Sequence, residues 1–185
     1  MKRDPMQLTT ARLLIRDWQP ETDAAAAIAI YGNPAVTQWI GDKSLDTTVA
    51  AVQARLKRYC DRAKDFPGLG CWAVLDQQTV VGTVLLMPLP NRENAPSGKI
   101  EIGWHLRPES WGRGYATEAA QAVMTYGFDT LQLPGIYAVT LLDNDRSVKV
   151  TQRLGMKELG ISHDYYGGHE LRLFCRLATT EPSRE

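Results

Sequence analysis

Residues 108–119 read PESWGRGYATEA, and no other segment says as much about how this chain is built. A strand-like segment, residues 99–106, runs into this stretch, and a helical pattern, residues 115–128, follows it. Glycines at such a junction allow a tight bend that points several backbone N–H groups at one spot, and a helix start adds partial positive charge. The stretch therefore predicts an anion site, most often one for phosphate.

Length and composition indicate one globular domain. The 185 residues are 44% hydrophobic and 23% charged, and a formal net charge of +0 gives no global field to attract nucleic acid or an anionic membrane. The first five residues lack the apolar core of a signal peptide, and no run reaches the ~18 apolar residues of a membrane span. Three cysteines without metal-like spacing favour a reducing cytoplasm. We expect one domain over residues 1–178 and a tail over residues 179–185.

Hydrophobic periodicity predicts the order β-α-α-β-β-β-α-β-α-β-β, which indicates one mixed sheet with helices on its faces. The predicted strands are 12–18, 71–75, 79–86, 99–106, 136–142, 157–165 and 169–177. The predicted helices are 20–31, 46–64, 115–128 and 144–154. Residues 91–98 are expected to form a loop, and residues 99–142 a right-handed parallel crossover.

Three phosphate ligands compete for the glycine-rich junction. A Walker loop needs Gly-Lys-Ser or Gly-Lys-Thr, which the chain lacks. A dinucleotide fold needs a third glycine where Thr117 stands, and too few residues follow Asp143 for a second βαβαβ half. Coenzyme A is the third ligand, and its pyrophosphate would lie on the amides of residues 112–117. A second polar junction, residues 143–147, follows the next strand, so it lies at the same edge of the sheet.

Residues 111–119 resemble the acetyl-CoA motif of the GNAT N-acetyltransferases, especially the RimJ/RimL-like branch of ribosomal-protein N-terminal acetyltransferases. Further segments resemble that branch in the same order, namely residues 8–13, 101–108, 144–147 and 154–156. Trp111 stands where Gln or Arg is usual, Met156 where Phe is usual and Trp104 where Tyr is frequent. The resemblance implies an α/β GNAT fold, with one mixed, mostly antiparallel sheet of about seven strands and about four helices, splayed at its central parallel pair.

The resemblance also implies acetyl-CoA as cosubstrate, without a metal. The coenzyme-binding residues that it implies are Trp104, His105, Leu106, Gly112, Arg113, Gly114, Ala116, Thr117, Asn144, Ser147 and Arg153. The pantetheine arm would pair with the exposed backbone of residues 104–106, and a backbone N–H there would polarise the thioester carbonyl.

Direct attack of a primary amine on the thioester needs a base and a donor to the leaving sulfur. We expect Glu101 to act as the base, with His105 and His163 as rivals, because an imidazole titrates near neutral pH. Asn144 would bind the pantetheine and Ser147 would donate to the sulfur, whereas Glu118 is expected to be structural.

The acceptor class stays open at this point. A protein N-terminus, an antibiotic or an amino acid would each present a suitable amine, while nucleic acid and membrane partners are not expected. A non-catalytic acyl-CoA-binding or regulatory module is the alternative function, and the sequence leaves a homodimer open.

Overall fold

A computed structural model describes residues 5–41 and 43–179, and within these residues it has one sheet of eight strands. The strands are β1 (Gln7–Thr9), β2 (Leu13–Asp17), β3 (Gly70–Asp76), β4 (Thr79–Pro90), β5 (Pro96–Leu106), β6 (Gly135–Leu141), β7 (Lys157–Ser162) and β8 (Leu171–Leu177). Their order across the sheet is β1-β2-β3-β4-β5-β6-β8-β7. The pair β5–β6 is parallel, and the other neighbouring strands are antiparallel.

Helices cover both faces of the sheet. They are α1 (Pro20–Tyr31), α2 (Pro34–Thr37), α3 (Val49–Arg62), α4 (Tyr115–Asp129) and α5 (Asp145–Arg153). Buried side chains of α4 and α5 pack with Leu86 and Ile102 on one face, while those of α1, α2 and α3 pack with Ala73 and Leu75 on the other. Gly127 allows α4 to lie close to the sheet, because a Cβ there would come within 2.8 Å of Ile136.

The expected fold class is confirmed, and the observed sheet and helices are slightly more numerous than expected. The short strand β1 and the four-residue helix α2 were not predicted, because segments of that length carry too little periodicity. The expectation of no signal peptide rested on residues 1–5, and the expected tail covers residues 179–185. Of these, residues 1–4 and 180–185 lie outside the described residues.

The two hairpins differ from the sequence-based expectation in length. Strand pairing in β4–β5 continues as far as Pro90 and Pro96, where a loop over residues 91–98 was expected. The side chain of Asn91 accepts hydrogen bonds from the amides of Glu93 and Ala95 (2.9 Å each) and so closes a tight turn. In the closing hairpin, β7 ends at Ser162, and a 3₁₀ turn, Tyr166–Gly168, precedes β8.

The central parallel pair is splayed. Pairing between β5 and β6 is recorded at Ile100↔Ile136 and Glu101↔Tyr137, although β5 runs on to Leu106. Beyond this point β6 remains paired with β8 as far as Leu141, so a gap opens between β5 and β6. We refer to it as the β5–β6 gap.

Candidate functional site

The wall of the β5–β6 gap formed by β5 presents free backbone groups. The amide of Arg107 donates to the carbonyl of Val81 (3.1 Å), which fixes the antiparallel pattern between β4 and β5. Because that pattern alternates, the backbone groups of His105 face β4, and those of Trp104 and Leu106 face the gap. The indole Nε1 of Trp111 donates to the Leu106 carbonyl (2.9 Å). Within residues 5–41 and 43–179, the Trp104 backbone and the Leu106 amide therefore face the gap without a paired strand.

The glycine-rich loop lies at the open end of the gap and has the backbone geometry that the sequence predicted. Gly112 and Gly114 have φ values of +75° and +80°, a left-handed conformation that side chains with a Cβ disfavour. A Cβ added at Gly112 would meet nothing within 4 Å, so the loop surface is open there. The first hydrogen bond of α4 runs from the Glu118 amide to the Gly114 carbonyl (3.0 Å), and the preceding amides, including those of Ala116 and Thr117, lack helical acceptors.

Two buried hydroxyls support the fit of a polar ligand to this region. Thr117 Oγ1, in the first turn of α4, has no hydrogen-bond partner among residues 5–41 and 43–179. The same holds, within those residues, for Thr140 Oγ1 on β6, beyond the last β5–β6 pair. Buried polar atoms normally have partners, so these hydroxyls, the open loop and the start of a 15-residue helix together fit the phosphates and amides of coenzyme A.

Glu118 is structural, as the sequence indicated. Its carboxylate accepts hydrogen bonds from the Thr10 hydroxyl (2.6 Å) and from the Arg12 backbone amide (3.0 Å) and Nε (2.7 Å). Arg12 also donates to the carbonyl of Arg113 (3.0 Å), so the N-terminal segment is fastened to the glycine-rich loop. Burial acts to raise the pKa of Glu118, but the hydrogen bonds from Thr10 and Arg12 outweigh it, and the pKa is lowered.

The N-terminus of α5 forms the opposite side of the gap. Asn144 caps this helix, because its Oδ1 accepts a hydrogen bond from the Ser147 amide (3.3 Å). Ser147 is half-buried, and its hydroxyl has no recorded partner in the described part of the chain. The Arg146 guanidinium stacks on the Trp111 ring at 4.2 Å from its centroid, which joins α5 to the glycine-rich loop. A pocket of about 380 Å³ lies beside this stack, lined in part by Trp39 and Asn144.

Three further candidate residues are exposed: the two arginines expected to bind coenzyme A, and His163, a rival for the role of base. The side chains of Arg113 and Arg153 face solvent near the loop and on α5. His163 lies after β7, where its Nε2 is 3.9 Å from Glu170 Oε1 and its side chain is 59% exposed, so it stands outside the buried site.

Glu101 lies on the opposite face of the sheet from α4, at the position where β5 and β6 part. The residue is only 7% exposed, and Tyr166 donates a hydrogen bond to its Oε1. Burial raises the pKa of Glu101 to about 7, although the Tyr166 hydrogen bond and the charge of Arg62 act to lower it. A carboxyl that titrates near neutrality is suited to accept a proton.

His105 shares this face, four residues further along β5, which corresponds to about 13 Å of extended strand. Its ring packs edge-on against Tyr31 at 6.1 Å, and Tyr31 forms a hydrogen bond with Thr83 (2.6 Å). Glu101 and His105 are therefore too far apart to act on the same proton.

Sequence reasoning placed Tyr166 only among the aromatic residues that could line an acceptor pocket or pack in the core, and it gave no role to the Trp111 indole or to Thr140. Tyr166 is 65 residues from Glu101 in the chain, and no local pattern indicates their contact. Trp111 was recognised only as a departure from the usual motif. A turn near Gly167 was expected, but not which neighbouring side chain it directs inward.

The part of the chain that the structure describes contains no group of three or more His, Cys, Asp or Glu that could hold a metal. No helix within that part is both long and apolar enough to cross a membrane.

Comparison with known proteins gives one family. The family model described as "Acetyltransferase (GNAT) domain" matches residues 12–157. The uncharacterized N-acetyltransferase YoaA of Bacillus subtilis (strain 168) is 28% identical over 160 residues, which cover 85% of this chain and 86% of that protein. The uncharacterized N-acetyltransferase YnaD of the same strain is 30% identical over 155 residues, covering 84% and 85% respectively.

Solved structures give the same fold. A GNAT-family acetyltransferase from Bacillus anthracis has a TM-score of 0.74 at 23% identity, covering 93% of this chain and 98% of its own. The RimL ribosomal L7/L12 alpha-N-protein acetyltransferase in complex with coenzyme A has a TM-score of 0.77 at 15% identity, covering 95% and 100%.

Proposed function

Since this chain belongs to the GNAT acetyltransferase family, we propose that it transfers an acetyl group from acetyl-CoA to a primary amine in the β5–β6 gap. One observation carries the proposal: the gap has a glycine-rich helix start at its open end and a buried carboxyl with a pKa of about 7 where it closes. Leu106 lies five residues after Glu101 on β5, which corresponds to about 17 Å of extended strand. An extended carrier arm can therefore reach from one end to the other.

Acetyl-CoA would supply a thioester carbonyl as the electrophile. Residues of the glycine-rich loop, Gly112, Gly114, Ala116 and Thr117, would hold its diphosphate through their amides. Arg113 and Arg153 would add positive charge at the exposed end. The free backbone of Trp104 and the Leu106 amide would orient the arm, together with the Asn144 side chain, which also caps α5.

In the proposed reaction Glu101 accepts the proton that the amine loses as its nitrogen bonds to the carbonyl carbon. The backbone N–H of Trp104, the nearer of these two amides to Glu101 along β5, stabilises the negative charge that develops on the carbonyl oxygen. The C–S bond then breaks, and the Ser147 hydroxyl donates a hydrogen bond to the departing sulfur. No covalent enzyme intermediate is needed, and the thiol of Cys71 is unsuited to form one, because burial raises its pKa to about 12.

Relatives named as N-acetyltransferases support transfer to nitrogen rather than to oxygen. Acceptors that present a primary amine, either a protein N-terminus or a small molecule, fit the chemistry of the site.

The test of the proposed function is a panel of peptides, polyamines, amino acids and aminoglycosides, with release of free thiol from acetyl-CoA as the signal. Coenzyme binding without thiol release for any acceptor would indicate a non-catalytic acyl-CoA-binding module. Displacement of coenzyme A by adenine dinucleotides would instead indicate a nucleotide-binding protein.

Replacing Gly112 tests the diphosphate site. We expect Gly112→Ala to weaken coenzyme A binding about tenfold or more, because a methyl group would occupy the open surface of the loop. Isothermal titration calorimetry measures the effect. Gly98→Ala is the matched control, because Gly98 has nearly the same φ (+81°) and the same free space, but lies in the β4–β5 hairpin. Both variants should lose about 1 kcal/mol of stability from left-handed strain. Equal coenzyme affinity in the two would contradict the placement.

Substitutions at the start of α5 separate capping from coenzyme binding. Asn144→Ala should lower the free energy of unfolding by about 1 kcal/mol and also weaken coenzyme binding. Thr48→Ala removes a comparable cap from α3, where Thr48 accepts from the Ala51 amide (3.2 Å), and should leave coenzyme affinity unchanged.

Ser147→Ala should lower kcat about tenfold with little change in coenzyme affinity. A kcat equal to that of the wild type would remove Ser147 from the mechanism.

A further inference from the structure

We propose that Tyr166 is a positioning residue for the catalytic carboxylate: its phenol holds one oxygen of Glu101 and leaves the other for the incoming amine. The inference rests on the proposed function, because that function makes Glu101 the base. Tyr166 OH donates to Oε1 of Glu101, and the contact joins the turn before β8 to the strand β5. Since Glu101 is only 7% exposed, this phenol supplies a hydrogen bond that water would otherwise give.

The backbone of the turn is shaped to make this contact. Tyr166 has a φ of +47°, and the two residues after it, Gly167 and Gly168, have φ values of +73° and +86°. Glycine adopts this left-handed conformation freely, whereas a tyrosine there is strained. Strained backbone conformations persist where the surrounding structure fixes them, and they cluster at functional sites. In this left-handed turn the Tyr166 phenol contacts Glu101.

Among the described groups around Glu101, Tyr166 is the residue that donates a hydrogen bond to its carboxyl group. Arg62, in the last turn of α3, adds positive charge but is exposed, and no hydrogen bond from it to Glu101 is recorded in the described part of the chain. Cys71, on β3, stays a neutral thiol at neutral pH, since burial raises its pKa to about 12. Burial is the main reason why the pKa of Tyr166 lies well above its usual value, and the negative charge of Glu101 raises it further. The phenol therefore keeps its proton.

Two further groups near this part of the sheet are directed elsewhere. Lys99, two residues before Glu101, donates to the Tyr165 hydroxyl (2.6 Å). Tyr137, which pairs with Glu101 across β5–β6, has a pKa raised chiefly by burial and lies 5.2 Å from the Lys99 ammonium. Glu101 is therefore the group that titrates near neutrality in this cluster, and Tyr166 is the residue that sets its orientation.

The pH profile of Tyr166→Phe tests the inference. The variant keeps the ring and the burial of Glu101 but loses the hydrogen bond that favours the carboxylate. We expect the ascending limb of kcat/KM near pH 7 to move up by about one pH unit, which lowers the rate about tenfold at pH 6 and leaves it nearly unchanged at pH 9. The KM for acetyl-CoA should not change. Tyr165→Phe is the matched control: it removes a neighbouring hydroxyl that binds Lys99 and should not shift the limb.

Unfolding supplies a readout that needs no turnover. The upper limit of the pH range over which Glu101 alters the free energy of unfolding should rise in Tyr166→Phe and stay unchanged in Tyr165→Phe, because only the folded-state pKa of Glu101 changes. An unshifted profile in Tyr166→Phe, or an equal shift in both variants, would overturn the inference. Absence of thiol release from the wild type would overturn the proposed function instead, and the unfolding measurement would still decide whether Tyr166 governs the titration of Glu101.

Discussion

Glu101→Gln is expected to lower kcat/KM by about 10²- to 10⁴-fold at pH 7.5, the range that a positioned general base contributes. Glutamine has nearly the same shape and can still accept the hydrogen bond from Tyr166, but its amide does not take up a proton. The wild-type profile should rise through an apparent pKa of about 7, and this limb should vanish in the variant. Thiol release measured from pH 5.5 to 9 checks both expectations.

The acceptor for this experiment needs an amine that titrates well above neutrality, so that a limb near pH 7 belongs to the enzyme. Glu158→Gln is the control, because Glu158 is an exposed carboxylate on β7, remote from the gap. Coenzyme affinity should be the same in all three proteins. A Glu101→Gln enzyme with the wild-type rate and limb would exclude Glu101 as the base and would turn attention to His105.

The same substitution should stabilise the protein at neutral pH. Glu101 has a pKa raised from 4.5 to about 7, chiefly by burial, so the folded state retains a proton that the unfolded state releases. Unfolding therefore becomes more favourable as pH rises from about 4.5 to about 7, and the wild type loses about 3 kcal/mol of stability across that window. Glu101→Gln avoids this loss. Denaturant unfolding at pH 4.5 and pH 8 should show its advantage over the wild type growing by about 3 kcal/mol.

Glu118→Gln should change the pH dependence of stability in the opposite direction to Glu101→Gln. The pKa of Glu118 is lowered, so its interactions with Thr10 and Arg12 stabilise the fold above the unfolded pKa and are lost as pH falls through the folded one. Its removal should therefore destabilise the protein at pH 8 and have little effect at low pH. If Glu101→Gln followed the pattern of Glu118→Gln, the burial cost assigned to Glu101 would be wrong. A stabilising change that abolishes activity would mark the carboxylate as retained for function.

Most of the secondary structure and the glycine-rich loop could be predicted from the chain, because the information there is local. The positions of Gly112 and Gly114 fit the left-handed bend before α4, and Asn144 occupies the capping position of α5. The short elements β1 and α2 were missed, since three or four residues do not establish a periodicity. The length of the β4–β5 hairpin depended on side-chain hydrogen bonds within its turn, which propensities do not register.

The sequence by itself determined the order of the longer strands and helices, the left-handed bend of the glycine-rich loop and the family, because spacing, glycine conformation and helix starts depend on neighbours along the chain. Only the tertiary structure decided what surrounds Glu101. Its burial requires β3, β5, α3 and the turn before β8 to meet, and its hydrogen bond comes from Tyr166, 65 residues away. A carboxyl acquires a pKa near neutrality through desolvation and through its neighbours in space, and both are properties of the folded chain.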